Sequence, residues 1–236
     1  VCALEPEDSR GVYKNINVDM RQFNRLRMFL HAEDGSSPGF TSGDIIGFVR
    51  LGNDLSENYY QIEIPLQEST PGSLDPQSVW PMINEIDLPI SALETIKSIS
   101  ILNGTLGSEQ PIFYNVVNED VVEEPVNEFS PLDVGQHRIS IKGNPNFGDI
   151  RTLMIGVKNP RQDGMDVCSE VWFNELRLSD MDNEGGWAAT LAADTNIADF
   201  MSISATARQS TSGFGNIEQG PSERDKVDKK QYDIIS

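Results

Sequence analysis

The residues with the most chemistry in their spacing are Arg25, Arg27, Phe29 and His31, alternate positions that a strand would set in one outward row. Guanidinium groups donate to hydroxyls and an aromatic face stacks on a pyranose ring. Such a row, with Tyr59 near it, therefore suits a sugar, or else packing against another part of a larger assembly. Asp180, Asp182 and Glu184 copy the first half of a calcium loop. Its closing bidentate Glu is replaced by Leu191, so a solvated acidic turn is expected and no metal is assigned. The two imidazoles, His31 and His137, have no nucleophile motif beside them, and zinc would need further partners. Gly213 and Gly215 have Glu218 where a dinucleotide fingerprint needs its third glycine. No cofactor is expected.

The run from Trp80 to Ile90 resembles the active-site strand of laminarinase-like glycosidases, with Glu85 and Asp87 in place. Ile90 stands where that resemblance puts the second glutamate. Retaining hydrolysis needs two carboxyl groups about 5 to 5.5 Å apart. Without a proton donor the leaving group is not protonated, so the chain is expected not to be an enzyme. Glu85 and Asp87 then read as the polar face opposite Ile86, Leu88 and Ile90.

The elements that must position these residues are strands. Period-two alternation covers 12–20, 25–32, 44–51, 59–66, 84–90, 112–117, 137–142, 150–157 and 170–178, separated by Gly, Pro, Asn and Ser clusters. This predicts an all-β, antiparallel β-sandwich, jelly-roll-like, over residues 1–184. Leu26, Met28, Leu30 and Ala32 form one inward set, and Tyr60, Ile62, Ile64 and Leu66 another. Ser91 and Glu94 have the spacing of a capping box, which predicts a short helix through Ile96 and Lys97.

Past Gly185 and Gly186 the pattern changes. Trp187, Ala189, Leu191 and Ala193 mark one face. Met201, Ile203, Ala205 and Ala207 alternate with Ser202, Ser204, Thr206 and Arg208. A β-hairpin over residues 185–208 is expected, and both a soluble hairpin with one face on a core and a membrane barrel strand pair give this repeat. Residues 209–236 read as a loop or disordered tail ending in a truncated strand from Tyr232.

Eighteen basic against thirty-seven acidic residues leave a net charge of -19, which repels phosphate backbones and makes nucleic acid an unsuitable partner. Glu109, Glu119, Asp120, Glu123, Glu124, Glu128 and Asp133 lie in a stretch without Lys or Arg and are expected to form a solvated loop. No apolar run is as long as a membrane helix. Cys2 and Cys168 are a disulfide candidate in an oxidising compartment, with two separate buried thiols as the alternative. The first residue, Val1, and the ending after Tyr232 suggest a processed product or an internal piece.

The run from Ser169 to Ala189, together with Ala3 to Gly11, Leu26 to Glu33, Glu57 to Pro65 and Gly213 to Gln219, resembles the SprA (Sov) family of gliding-motility proteins. These are outer-membrane translocons of the type IX secretion system. The resemblance implies a non-catalytic structural domain at the outer membrane, on its cell-surface or periplasmic face, followed by the first strands of a barrel. The implied partners are a companion outer-membrane barrel protein, a plug protein, secreted cargo proteins and, through the parent barrel, the outer membrane itself. A carbohydrate-binding jelly-roll module of a secreted protein is the alternative.

Overall fold

The computed structural model describes residues 1–35, 39–181, 185–198, 201–215, 224–225 and 227–235. The chain divides into two compact units, Val1–Asp180 and Met181–Ser236. In chain order the first contains β1 (Ser9–Val18), β2 (Phe23–Asp34), β3 (Ile46–Gly52), β4 (Tyr59–Pro65), the single turn α1 (Pro76–Val79) and β5 (Ile86–Pro89). The helix α2 (Ile90–Leu102) follows, then β6 (Ile112–Val117), β7 (Asp120–Val121), β8 (His137–Lys142), β9 (Ile150–Lys158) and β10 (Ser169–Met181). Each of the nine alternating stretches falls on one of these strands; β7, too short to show a period, was not expected.

Antiparallel pairing arranges the strands as a seven-stranded sheet, β1-β9-β3-β4-β8-β6-β7, and a three-stranded sheet, β10-β2-β5. Both sheets feed one core. Leu26, Met28 and Leu30 of β2 meet Val49 and Leu51 of β3, Ile62 and Ile64 of β4, and Ile139 and Ile141 of β8 in a single buried cluster. Burying each such aliphatic is worth about 1.5 to 3 kcal/mol. A β-carbon on Gly47 would lie 2.5 Å from Leu30 Cδ2, so the sheets approach closely there. A jelly roll divides eight strands between two sheets. Here the division is seven to three, because α2 rather than another strand packs on β2, β5, β7 and β8 at one flank.

That helix differs from the expected one. It begins at Ile90, with Pro89 at its N-cap and no side chain bonding the first turn, and it runs to Leu102. Pro89 ends β5 in an extended conformation and leads straight into the helix, so the Ser91 capping box is not used. What holds α2 is its buried face of Ile90, Ala92, Leu93, Ile96 and Ser100.

At its centre the seven-stranded sheet is covered on its second face too, and β4 is buried at every position. On that face Glu63, wholly buried, has Lys158 Nζ at 3.4 Å and Arg138 Nη1 at 3.8 Å, and Gln61 Nε2 donates to it at 2.7 Å. Arg138 donates onward to Asn115 Oδ1 and to the backbone carbonyls of Glu128, Ser130 and Pro131. Lys158 also pairs with Glu128 at 2.7 Å and lies 4.6 Å from the centre of the Phe129 ring. The acidic stretch is therefore not simply a solvated loop. Its Glu128 to Pro131 portion is a lid stapled to the sheet by Arg138.

The second unit is one three-stranded sheet, β11 (Ala188–Ile197), β12 (Met201–Ser210) and β13 (Lys229–Ile235), in that order. A hairpin lies where one was expected, its start three residues and its end two residues later than 185–208. The truncated strand expected from Tyr232 is present and begins three residues earlier, since Lys229 to Ile235 pair with Ser210 to Ser204. The charges of Lys229 and Lys230 hid its start, and it bonds along the second edge of β12.

Removing one partner of a buried ion cluster strands the others. Arg138→Met should lower unfolding free energy by about 3 to 5 kcal/mol in denaturant titration, and pairing it with Glu63→Leu should cost less than the two single losses added. Strict additivity would show that Arg138 acts only through the lid carbonyls.

Candidate functional site

The row singled out by spacing lies on the outer face of the three-stranded sheet. Strand register sets Arg25 opposite Pro89 and Arg27 opposite Asp87. Asp87 Oδ1 accepts from Arg25 Nε at 2.7 Å and from Arg27 Nε at 3.1 Å, while Arg25 Nη2 reaches Glu119 Oε1 at 2.8 Å. Burial works to raise the Asp87 carboxyl, but the two guanidinium donors outweigh it and hold it below the usual carboxylate range. Glu85 moves the other way, pushed up by burial and then by the charge of Asp87. Asp87 is thus occupied as the anion of an ion network.

Further along β2 the row changes character. Phe29 has the Arg177 guanidinium 5.5 Å from its ring centre. His31 is not on an open face: it is 2% exposed, beneath Trp80 at 5.7 Å and Trp172 at 5.0 Å between ring centres. Its Nδ1 faces the Val79 carbonyl and its Nε2 faces Glu33 Oε1 at 2.9 Å. Trp172 stays 49% exposed, with its indole N–H donating to Glu170. Tyr59 does not join this group. It belongs to β4 of the larger sheet, where the Arg50 guanidinium stacks on it at 4.1 Å.

His137 on β8 is largely buried, and burial lowers its pKa below the ordinary imidazole value. The structure joins Cys2 and Cys168 as a disulfide with Cα atoms 4.0 Å apart, at the start of β10. The half-matched calcium loop includes residues 182–184, which lie outside the described residues, as does Glu218. Among the described residues no group of three or more His, Cys, Asp or Glu side chains is placed to hold a metal ion.

The second unit presents a site of another kind. Register puts Leu191 opposite Ala207 and Ala193 opposite Ala205, and on the far side Ala207 opposite Tyr232 and Ala205 opposite Ile234. These residues share one face with Ala189 and Ile203, and with the polar Thr195, Gln209 and Lys230 toward its two ends. The opposite face carries Thr190, Asp194, Ser202, Ser204, Thr206, Arg208, Gln231 and Asp233, with Ala188, Ala192 and Ile235 as its apolar members. Leu191, Tyr232 and Ile234 are 71%, 72% and 77% exposed, so the apolar face is laid open. Trp187, 53% exposed, stands at its end, where its backbone exchanges hydrogen bonds with Thr211.

The family model for motility-related and secretion proteins, SprA_N, matches residues 1–236. The chain belongs to this family. No curated protein matches it.

For a SprA_N chain, sequence alone located the Arg25 row but missed what covers it. Trp80 and Trp172 lie far from His31 in sequence, and the one local sign was two indoles outside the inward sets. The Glu63 cluster was missed as well, because Glu63, Arg138 and Lys158 sit on strands that carry other polar residues and so looked like ordinary outward positions.

A carboxyl held low by cations contributes stability that is complete above its unfolded pKa, about 3.9, and vanishes as pH falls through its folded value. Between pH 5 and pH 2 the unsubstituted chain should lose up to about 1 kcal/mol more than Asp87→Asn, the range for a partly exposed network. Parallel pH profiles of denaturation would discount the network.

Proposed function

We propose that this chain is a non-catalytic structural module of a protein-conducting outer-membrane translocon, serving type IX protein secretion and gliding motility. The sandwich shapes or caps the pore, and the three-stranded sheet contributes to the barrel wall. The observation that carries this reading is the division of that sheet into an open apolar face and a polar one. Ten-residue strands such as β11 and β12 extend about 33 Å, which at a tilt near 40° spans the roughly 25 Å apolar band of an outer-membrane barrel. Trp187 at the edge of that face is where an interfacial aromatic belongs. The polar face, with Asp194, Arg208 and Asp233, then lines the lumen. In this role the partners are a companion outer-membrane barrel protein, a plug protein and the transported cargo.

One observation favours the second reading, a carbohydrate-binding module. Trp172, half exposed, and Trp80 both meet the His31 ring, with Glu33 and Glu170 bonded to His31 and Trp172, and indole faces stack on sugar rings.

In the intact translocon in its bilayer, a lipid with a photoactivatable acyl chain should label positions 191, 205 and 232 and spare 190, 206 and 233. Labelling of both faces alike, or of neither, overturns the barrel assignment. Calorimetry against a glycan panel tests the second reading: it requires measurable binding with an affinity that Trp172→Ala lowers by up to about tenfold, the weight of one stacked ring.

A further inference from the structure

The first unit is closed on one flank by α2 and open on the other. Along the open flank run β1, the last strand of the larger sheet, and β10, the last strand of the smaller. Between them lies an apolar groove, formed by adjoining cavities of 330 and 230 Å³ that share Leu153 and Leu176. Ile16, Val18 and Leu153 line it from the larger sheet, and Phe173, Leu176 and Leu178 from β10. These six pack against the core without being fully buried, so the sandwich interior continues into the groove.

The head of the groove shows how the edge of β10 is used. Val1 and Ser169 exchange both backbone hydrogen bonds, as do Leu4 and Val167, so Val1 to Leu4 already form a short antiparallel rung on this edge. The disulfide between Cys2 and Cys168 fastens that rung. On the other side of β10, the Cys168 carbonyl accepts from Gly35 at the end of β2. Val167 and Ser169 therefore turn their backbone groups away from β2, and Val171 and Phe173, of the same parity, present theirs to the same free edge. Their side chains point inward to the core. At Glu175, with φ of 52°, the parity shifts, and Leu176 and Leu178 take over the inward positions.

We infer that the free edge of β10 takes up an extended polypeptide strand, antiparallel to β10 and collinear with Val1 to Leu4, whose alternate apolar side chains fill the groove. The occupant is specified by chemistry on both counts. Main-chain donors and acceptors at Val171 and Phe173 supply the ladder, and the groove selects an aliphatic residue at every second position. Charge selects the positions between. Glu170, Glu175 and Asp180 outnumber Arg177 along β10 in a chain of net charge -19, so Lys or Arg fits there. The short rung of Val1 to Leu4 is continuous with this surface and sets its register.

The test uses the full chain and a blocked ten-residue peptide of alternating valine and lysine, with a peptide of the same composition in two blocks as control. Amide hydrogen exchange at Val171 and Phe173 should slow at least tenfold with the alternating peptide and remain unchanged with the control. Leu176→Asp should abolish the protection. Should that variant fail to fold, Glu175→Lys, at an exposed position, should weaken binding a few-fold at low salt. Equal protection by both peptides, protection of β1 amides in place of Val171 and Phe173, or none at all overturns the inference.

Discussion

A carboxylate buried in the central strand of a seven-stranded sheet is tolerable only when cations stand beside it, and that requirement organises the first unit. Glu63 draws Arg138 from the neighbouring strand and Lys158 from β9, but burial still pushes its carboxyl up, so the cluster is no free gain in stability. What the cluster achieves is specific placement. The guanidinium of Arg138 has donors left over, and these hold three carbonyls of the 128–131 lid. Lys158 does the same with Glu128 and Phe129. An acidic segment that would otherwise be solvated becomes the cover of a sheet face, and the register of β4, β8 and β9 is tied to it.

Cover is the constraint that the rest of the molecule inherits. In the first unit the larger sheet has the core on one face and the lid on the other, while α2 seals one flank. The ion network of Arg25, Arg27, Asp87 and Glu119, and the indoles over His31, dress the outer face of the smaller sheet. Only the flank between β1 and β10 lacks a closing element among the described residues. In the second unit an apolar face is left open along its length, and three strands cannot fold back to hide it.

The parts of this arrangement legible in the sequence were those with a local period. Half-buried strands announce themselves by alternation, so β2, with Leu26, Met28, Leu30 and Ala32 inward, could be assigned face by face. Where both faces are buried the period carries less: β4 showed its aliphatic set, while Gln61 and Glu63 looked like an ordinary outward face. Contacts between distant segments left no local trace. Trp80 and Trp172 converge on His31 from 49 and 141 residues away, and the rung of Val1 to Leu4 on β10 spans most of the first unit. Only the start of β13 was obscured by composition: the alternation of Tyr232 and Ile234 was legible, whereas Lys229 and Lys230 read as part of a charged run.

The two uncovered surfaces ask for different partners, and their side chains say which. The open face of the second unit sets alanines at 189, 193, 205 and 207 among Leu191, Ile203, Tyr232 and Ile234. In the role proposed above, a fluid hydrocarbon conforms to such a face and covers it without a matched partner surface. The flank of the first unit is the reverse: branched and aromatic side chains bound a narrow groove beside unpaired backbone groups, and hydrocarbon cannot answer an N–H or a carbonyl. A surface that needs both shape and hydrogen bonds is satisfied by polypeptide. In the proposed role, one chain would carry a face turned to lipid and an edge turned to polypeptide, the combination that a part joining a membrane wall to other protein needs.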